Sequence, residues 1–279
     1  MFWTRLASGA VLMLLAALGF FFGAPVLAVI LYLTAMAGYR ELVGALGGLA
    51  PEGKRKSGAP EKAGYVGITA LYLLLALLDC GLFEGDRVAC LLGVIVMLFI
   101  AELFVYVFCF PKYRAEQVTC CVFAFLYAPV MLSFVELTRE APGGQYLVWI
   151  ILISSWGCDT CAYAVGMLIG KKKVFPVLSP KKSLEGCIGG VVGAALLGAL
   201  YGLFVIGRPP QELSPFALIC ALGAVVSMVG DLAASAIKRN MGIKDYAKLI
   251  PGHGGVMDRF DSVIVTAPIV YFLTVLMVG

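Results

Sequence analysis

Asp159 interrupts an apolar run, within Trp156-Gly157-Cys158-Asp159-Thr160-Cys161-Ala162-Tyr163. A carboxylate in hydrocarbon costs about 2.5–3.5 kcal/mol on insertion scales, so it normally faces a partner or a watery cavity. Helical spacing puts Asp159, Tyr163, Gly166 and Gly170 on one face. Gly166 and Gly170 would let another helix come close. A packing seam with one paired acid is the plainer alternative for this segment. Asp231 repeats the situation: Ser227, Asp231, Ser235 and Lys238 form a polar stripe on an otherwise apolar stretch. Neutralisation of Asp231 by Lys238 explains it poorly, because seven helical residues span about 10 Å.

Beyond that stripe come Lys238-Arg239, Lys244-Asp245, Pro251-Gly252-His253-Gly254-Gly255 and Asp258-Arg259-Phe260-Asp261-Ser262. Glycines let a backbone approach a ligand and offer unobstructed N–H groups. Asp258 and Asp261, three residues apart, share a face at a helix start. Basic groups among glycines suit phosphates. Paired carboxylates suit Mg2+, which takes oxygen ligands and bridges protein acids to substrate phosphate. Membrane topology alone accounts for Lys171, Lys172 and Lys173, but not for acids set among bases. His253 is the one histidine of the chain; it suits a phosphate contact or a structural hydrogen bond rather than a metal cluster. In the segment from Lys171 to Gly186, Pro176 and Pro180 stiffen a loop and Ser183 is placed to cap the following helix. Its five lysines would attract anionic lipid at about 1 kcal/mol each. That loop could hold a lipid head group or a nucleotide phosphate, or lie on the membrane.

The elements that must position these groups follow from composition. Of 279 residues, 61% are hydrophobic and 14% charged, against about 45–50% and about 25% in soluble domains. Mean hydropathy is +0.97. A soluble enzyme, a disordered chain, a secreted disulfide scaffold and an outer-membrane barrel are excluded, and nothing points to nucleic acid. The nine cysteines lie in or beside apolar segments and read as small hydrophobes. The Cys158–Cys161 pair has no second pair to make a zinc site. Spans of about 20 apolar residues are expected at 6–22, 25–46, 65–83, 88–110, 117–137, 146–170, 186–207, 215–238 and 262–278. The first resembles a signal-peptide core but is kept as a mature helix, since a second span follows at once. With the N-terminus inside, 18 of the 21 basic residues fall on the inner side and Arg87, Arg139 and Arg208 outside. The expected fold is an all-α polytopic membrane protein of about nine transmembrane helices, N-terminus cytoplasmic and C-terminus outside. Residues 1–145 read as scaffold and 146–279 as the working half of one integrated membrane domain. Glu102, in the fourth span, reads as a packed, paired or protonated acid.

The run Ser235-Ala236-Ile237-Lys238-Arg239, then Lys244-Asp245, Pro251-Gly252-His253-Gly254-Gly255 and Asp258-Arg259-Phe260-Asp261 resembles the signature of the phosphatidate cytidylyltransferase (CDP-diacylglycerol synthase) family nearly end to end. Asp159-Thr160-Cys161-Ala162-Tyr163 and Ser179-Pro180-Lys181-Lys182-Ser183-Leu184-Glu185-Gly186 also match. Ala247 stands where the family has Gly or Ser, and Ser183 where Thr is common. The resemblance covers 155–262; the first 145 residues share only a run of apolar spans. It implies that CTP and phosphatidate give CDP-diacylglycerol and pyrophosphate, with Mg2+, in a cavity open to the cytoplasm from a multi-pass protein of the cytoplasmic membrane. Asp231 and Asp258 match the family's metal-binding acids, with Asp159 and Asp261 as further metal candidates. Lys182, Lys238 and Arg259 join Asp231 and Asp258 as the catalytic set. Ser179, Lys181, Lys182, Ser183, Ser235, Lys238, Arg239, Lys244, His253, Gly254, Gly255 and Arg259 form the substrate-binding set, without assignment to CTP or lipid. A homodimer fits the family, although no span shows a distinct dimer face. Beside this reading stand a catalytically dead membrane scaffold, against which the intact acids and glycines argue, and two rivals. One is a CTP-dependent kinase or cytidylyltransferase acting on another lipid such as a polyprenol. The other is an ion-coupled secondary transporter using Asp159 and Asp231, against which the polar load gathers in one half of the chain.

Overall fold

A backbone in hydrocarbon must close its hydrogen bonds within the segment, which leaves helices as the form for these apolar runs. The computed structural model describes residues 2–47, 57–247 and 254–278, so His253 lies outside the described residues. Its helices are α1 (Phe2–Phe22), α2 (Ala24–Ala45), α3 (Ala59–Asp79), α4 (Arg87–Phe108), α5 (Ala115–Phe125), α6 (Met131–Glu140), α7 (Gly144–Leu152), α8 (Cys158–Ile169), α9 (Leu184–Phe204), α10 (Ser214–Asn240) and α11 (Met257–Met277). Among the described residues, eight helical stretches are long and apolar enough to cross a membrane, and α1 adds a shorter apolar stretch, Met13–Phe22. The expected all-α polytopic fold is therefore present. Two spans are each made of a helix pair. α5 and α6 join through a π-helical turn at Leu126–Val130, and α7 and α8 through another at Ile153–Gly157. Pro129 sits in the first turn, where it has no N–H to give to the helical ladder. The second turn ends two residues before Asp159, and π-turns within helices concentrate at functional sites.

The structure departs from the sequence reading at several places; α3, for one, begins at Ala59 rather than at 65. The last span begins at Met257 rather than at 262, which places Asp258 and Asp261 at a helix start, as their spacing suggested. The segment read as a proline-stiffened loop is an antiparallel hairpin of β1 (Lys173–Phe175) and β2 (Ser179–Ser183), with an irregular register. Pro180 lies inside β2 and has no N–H for the ladder, which suits an edge or bulged strand. Glu185 closes the base of the hairpin: its Oε2 accepts from the N–H groups of Lys171 at 3.0 Å and Lys172 at 3.2 Å. Ser183 caps α9 as expected, its Oγ accepting from the Gly186 N–H at 3.2 Å.

The chain falls into two units, Met1–Glu136 with Met241–Arg259, and Leu137–Asn240 with Phe260–Gly279. In the first, Tyr39, Leu42, Ile68, Leu71, Leu75 and Phe125 are fully buried side chains. Gly64 leaves room for the Tyr39 ring, which a side chain there would strike. In the second unit, small residues let helices approach closely. Gly186, Gly190, Ala194, Gly198 and Gly202 form the buried face of α9. A Cβ on Gly190 would stand 2.9 Å from Cys158 Sγ and Ala162 Cβ of α8, and one on Gly198 would stand 2.7 Å from the Phe216 carbonyl of α10. All nine cysteines are free. The three basic residues assigned to the outer side each meet an acid: Arg87 with Asp79, Arg139 with Glu140 at 3.9 Å, and Arg208 with Glu212 at 3.0 Å.

Candidate functional site

In the second unit, α8, the hairpin, the start of α9 and one residue of α10 enclose a cavity of about 430 Å³. The close glycine packing of α8 on α9 stops at the hairpin end, where Gly166 and Gly186 face each other. A Cβ on Gly166 would meet Ser183 Oγ at 3.2 Å and Gly186 Cα at 3.6 Å. Asp159, Ser179, Lys181, Lys182 and Ser183 all line this cavity, so five residues named from the sequence come together. Lys182 reaches back from β2 to α10, its Nζ 2.5 Å from Asp231 Oδ2.

Around that ion pair the charges are dense. Asp159 interacts electrostatically with Asp231 and Lys182. Asp261, 7% exposed, interacts with Asp231, Lys238 and Asp159. Gly230 permits the approach of α10 to α11, since a Cβ there would be 2.8 Å from the Asp261 carbonyl and 3.1 Å from Val265. Asp261 Oδ1 accepts from the Ser262 N–H at 2.8 Å. Three carboxylates thus share a region with two ammonium groups. Ser235 lies one turn after Asp231 on α10, and Arg239 is exposed at that helix's end.

The first unit holds the remaining site residues. Asp258, in the first turn of α11, accepts at Oδ2 from the N–H groups of Tyr246 and Gly255, both at 2.9 Å. Gly254 has φ +84°, left-handed backbone that a side chain rarely adopts, and a Cβ there would stand 2.7 Å from Asp258 Oδ2. A Cβ on Gly255 would run into the Glu41 carboxylate. Both glycines, selected as phosphate contacts, here make room for acids, and the Gly255 N–H is engaged by Asp258. Lys244 is exposed and Arg259 half-buried.

Glu41 is the residue that sequence reasoning missed. It lies near the end of α2, 8% exposed. Its Oε1 accepts from the Val256 N–H at 2.9 Å and its Oε2 from the Met257 N–H at 2.8 Å. Those are N–H groups that the α11 ladder leaves without a partner, and a negative charge at a helix N-terminus is favourable. The signal was available, since Glu41 interrupts an apolar run as Asp159 and Asp231 do. Glu102 resolves to a packed acid: it is 1% exposed and neither carboxylate oxygen has a hydrogen-bond partner among the described residues.

Among the described residues, no group of three or more His, Cys, Asp or Glu side chains is placed to enclose a metal ion. That arrangement still fits Mg2+, which is usually held by one or two carboxylates together with substrate phosphate and water. Asp231, with Asp159 and Asp261 near it, offers hard oxygen donors of this kind.

A family model described as the cytidylyltransferase family matches residues 3–277. That match reaches well beyond the stretch 155–262 that carried the motifs. The phosphatidate cytidylyltransferase of Bacillus subtilis is 31% identical over 218 residues, covering 76% of this chain and 78% of the relative. That of Staphylococcus epidermidis is 32% identical over 208 residues, covering 75% and 78%. That of a Synechocystis species is 40% identical over 136 residues, covering 49% and 45%.

Proposed function

The chain belongs to the cytidylyltransferase family, and on that premise we propose that it is a phosphatidate cytidylyltransferase, converting CTP and phosphatidate to CDP-diacylglycerol and pyrophosphate. A phosphate oxygen of phosphatidate attacks the α-phosphorus of CTP, and the bond to the pyrophosphate oxygen breaks. The nucleophile already carries negative charge, so no strong base is required. What must be overcome is repulsion between two anions, and fixed cations do this best where water is scarce.

Lys182, Lys238 and Arg259 are assigned to neutralise phosphate oxygens as charge moves to the leaving group, with Lys181 and Lys244 at the approach. Asp231 and Asp258 are assigned to hold Mg2+, with Asp159 and Asp261 in support. When bound, Mg2+ supplies positive charge to phosphoryl oxygens. Within the chain, Lys182 fixes the direction of Asp231, while Tyr246 and Gly255 fix that of Asp258. The site is assigned to the cytoplasmic side, in keeping with the inner excess of basic residues.

The observation that carries this reading is the Lys182–Asp231 pair beside a cavity that also presents Asp159 and Lys181. The test is to incubate purified protein with labelled CTP, phosphatidate and Mg2+ and to identify the product by mass spectrometry. CDP-diacylglycerol is expected. Product from a polyprenol acceptor and none from phosphatidate would reassign the lipid.

A further inference from the structure

The turn of the hairpin is apolar, where a turn in water is normally polar. β1 ends at Phe175, β2 begins at Ser179, and Pro176, Val177 and Leu178 join them. Val177 is 82% exposed, more than any other large apolar side chain among the described residues. Behind the turn, Lys171, Lys172, Lys173 and Lys181 are exposed. We propose that the hairpin is a membrane-surface element: Pro176 and Val177 enter the inner leaflet, and the lysines behind them rest on anionic lipid head groups. The inference depends on the cytoplasmic-side assignment above and not on the transferase chemistry.

The first argument is position. α8 ends at Ile169, and Leu168 and Ile169 are 79% and 59% exposed, the lipid-facing end of a span. Lys171 follows two residues later, so the hairpin starts at the edge of hydrocarbon. It does not stand off that helix end into water. Ser179, next to the turn, shares a lining of about 430 Å³ with Tyr163 and Met167, which lie before the last residues of α8. The turn is therefore held beside the span, at the level where hydrocarbon gives way to head groups.

The second argument is stiffness. Lys173 Nζ donates to the Lys181 carbonyl at 3.1 Å, across the two strands, and Glu185 closes the base through the N–H groups of Lys171 and Lys172. The turn is thus presented as a unit. Lys182 is not part of this surface, because it is turned to Asp231.

The third argument is chemical order. A bilayer surface offers anionic head groups first and hydrocarbon beneath them, and the hairpin offers ammonium groups on the strands and apolar side chains at the tip. Lysine stems are long enough to keep the charge at head-group level while neighbours sit deeper, and each lysine near an anionic surface adds to the attraction. A soluble protein partner that covered Val177 would have no such reason to meet a row of lysines behind it.

The experiment uses the full chain in nanodiscs of phosphatidylcholine, with or without phosphatidylglycerol, some of the lipid brominated near the top of its acyl chains. Val177→Trp places a reporter at an exposed site, and the emission of the three native tryptophans is subtracted using the parent. In anionic nanodiscs the added emission is expected to be blue-shifted, quenched by lipid bromine and protected from aqueous acrylamide. Quenching by acrylamide and not by bromine would overturn the proposal. Protection from both quenchers would mean that protein covers the tip, and would overturn it too. Replacing Lys171 and Lys172 together by Gln is expected to lower the equilibrium constant for insertion about thirtyfold. Equal insertion with and without phosphatidylglycerol would overturn the role of the lysines. The unsubstituted protein gives a second reading: amide exchange over residues 173–179 is expected to be slower in anionic than in zwitterionic nanodiscs, and identical rates would count against the proposal.

Discussion

Asp231 and Asp258 are both acids at the heart of the proposed chemistry, but the two units hold them differently. Asp231 faces a side-chain ammonium, Lys182 Nζ at 2.5 Å, carried on a two-stranded hairpin. Asp258 is held by peptide N–H groups of Tyr246 and Gly255, and the turn that carries it is held in turn by Glu41. A carboxylate bound by backbone is aimed once, when the chain folds. A carboxylate bound by a flexible lysine can exchange that partner for another cation when substrate arrives. The same residue type is thus prepared for one fixed position in the first unit and for a change of partner in the second.

The largest effects should come from the acids themselves. Asp231→Asn and Asp258→Asn each remove a charge but keep the shape. Each is expected to lower turnover by about 10³ at saturating Mg2+, the scale of removing a group that stabilises developing charge. Near-normal turnover in both folded variants would remove the metal assignment. The comparison is sharpened by unfolding measurements on the same proteins. Asp258→Asn is expected to unfold at lower temperature than Asp231→Asn, because its Oδ2 serves two backbone donors.

Lys182→Ala is expected next in size, at about 10² in turnover. It removes a phosphate-neutralising cation and leaves Asp231 without its ion-pair partner. Lys182→Arg keeps the charge but not the compact ammonium, and is expected to recover part of the rate. If alanine and arginine variants were equally impaired, geometry rather than charge would be the requirement at this position.

Glu41 tests the other half of the comparison. Glu41→Gln leaves one carbonyl acceptor for two N–H groups, so one buried donor loses its partner at a cost of about 1–3 kcal/mol. The expected result is lower thermal stability with turnover reduced about tenfold and both KM values little changed, since Glu41 acts through the seat of Asp258. A fall in turnover with no loss of stability would instead place Glu41 in contact with substrate. Gly255→Ala should resemble it, because the added methyl meets the Glu41 carboxylate.

The helices were legible because each apolar run is about as long as hydrocarbon is thick, a constraint that depends on composition and hardly on partners. The acids were legible for the complementary reason: Asp159 and Asp231 break such runs. What could not be read was pairing across distance. Nothing local in Lys182 says that it reaches Asp231, because a short hairpin that gives no alternating pattern determines its position. Gly254 and Gly255 carried a true signal, that no side chain fits, but two causes share that signal. A bound phosphate would require it, and so does a buried carboxylate, which is what the structure places there. Glu41 carries the same signal, but beside Arg40 near the end of a span it reads as an ordinary membrane-edge charge. The glycine face of α9 lies in the spacing of small residues within an apolar run, where no charge marks it.

The smallest effect expected is at Ser183, and it separates capping from binding. Ser183 Oγ accepts from the Gly186 N–H at the start of α9, so Ser183→Ala is expected to cost about 1 kcal/mol, read as a modest fall in unfolding temperature. Turnover and both KM values should stay close to the parent if capping is its whole contribution. Ser183→Thr, which keeps the hydroxyl, should restore stability. Ser183 also lines the cavity with Lys181 and Lys182, so a rise in the phosphatidate KM of Ser183→Ala that Thr reverses would give its hydroxyl a part in holding the head group.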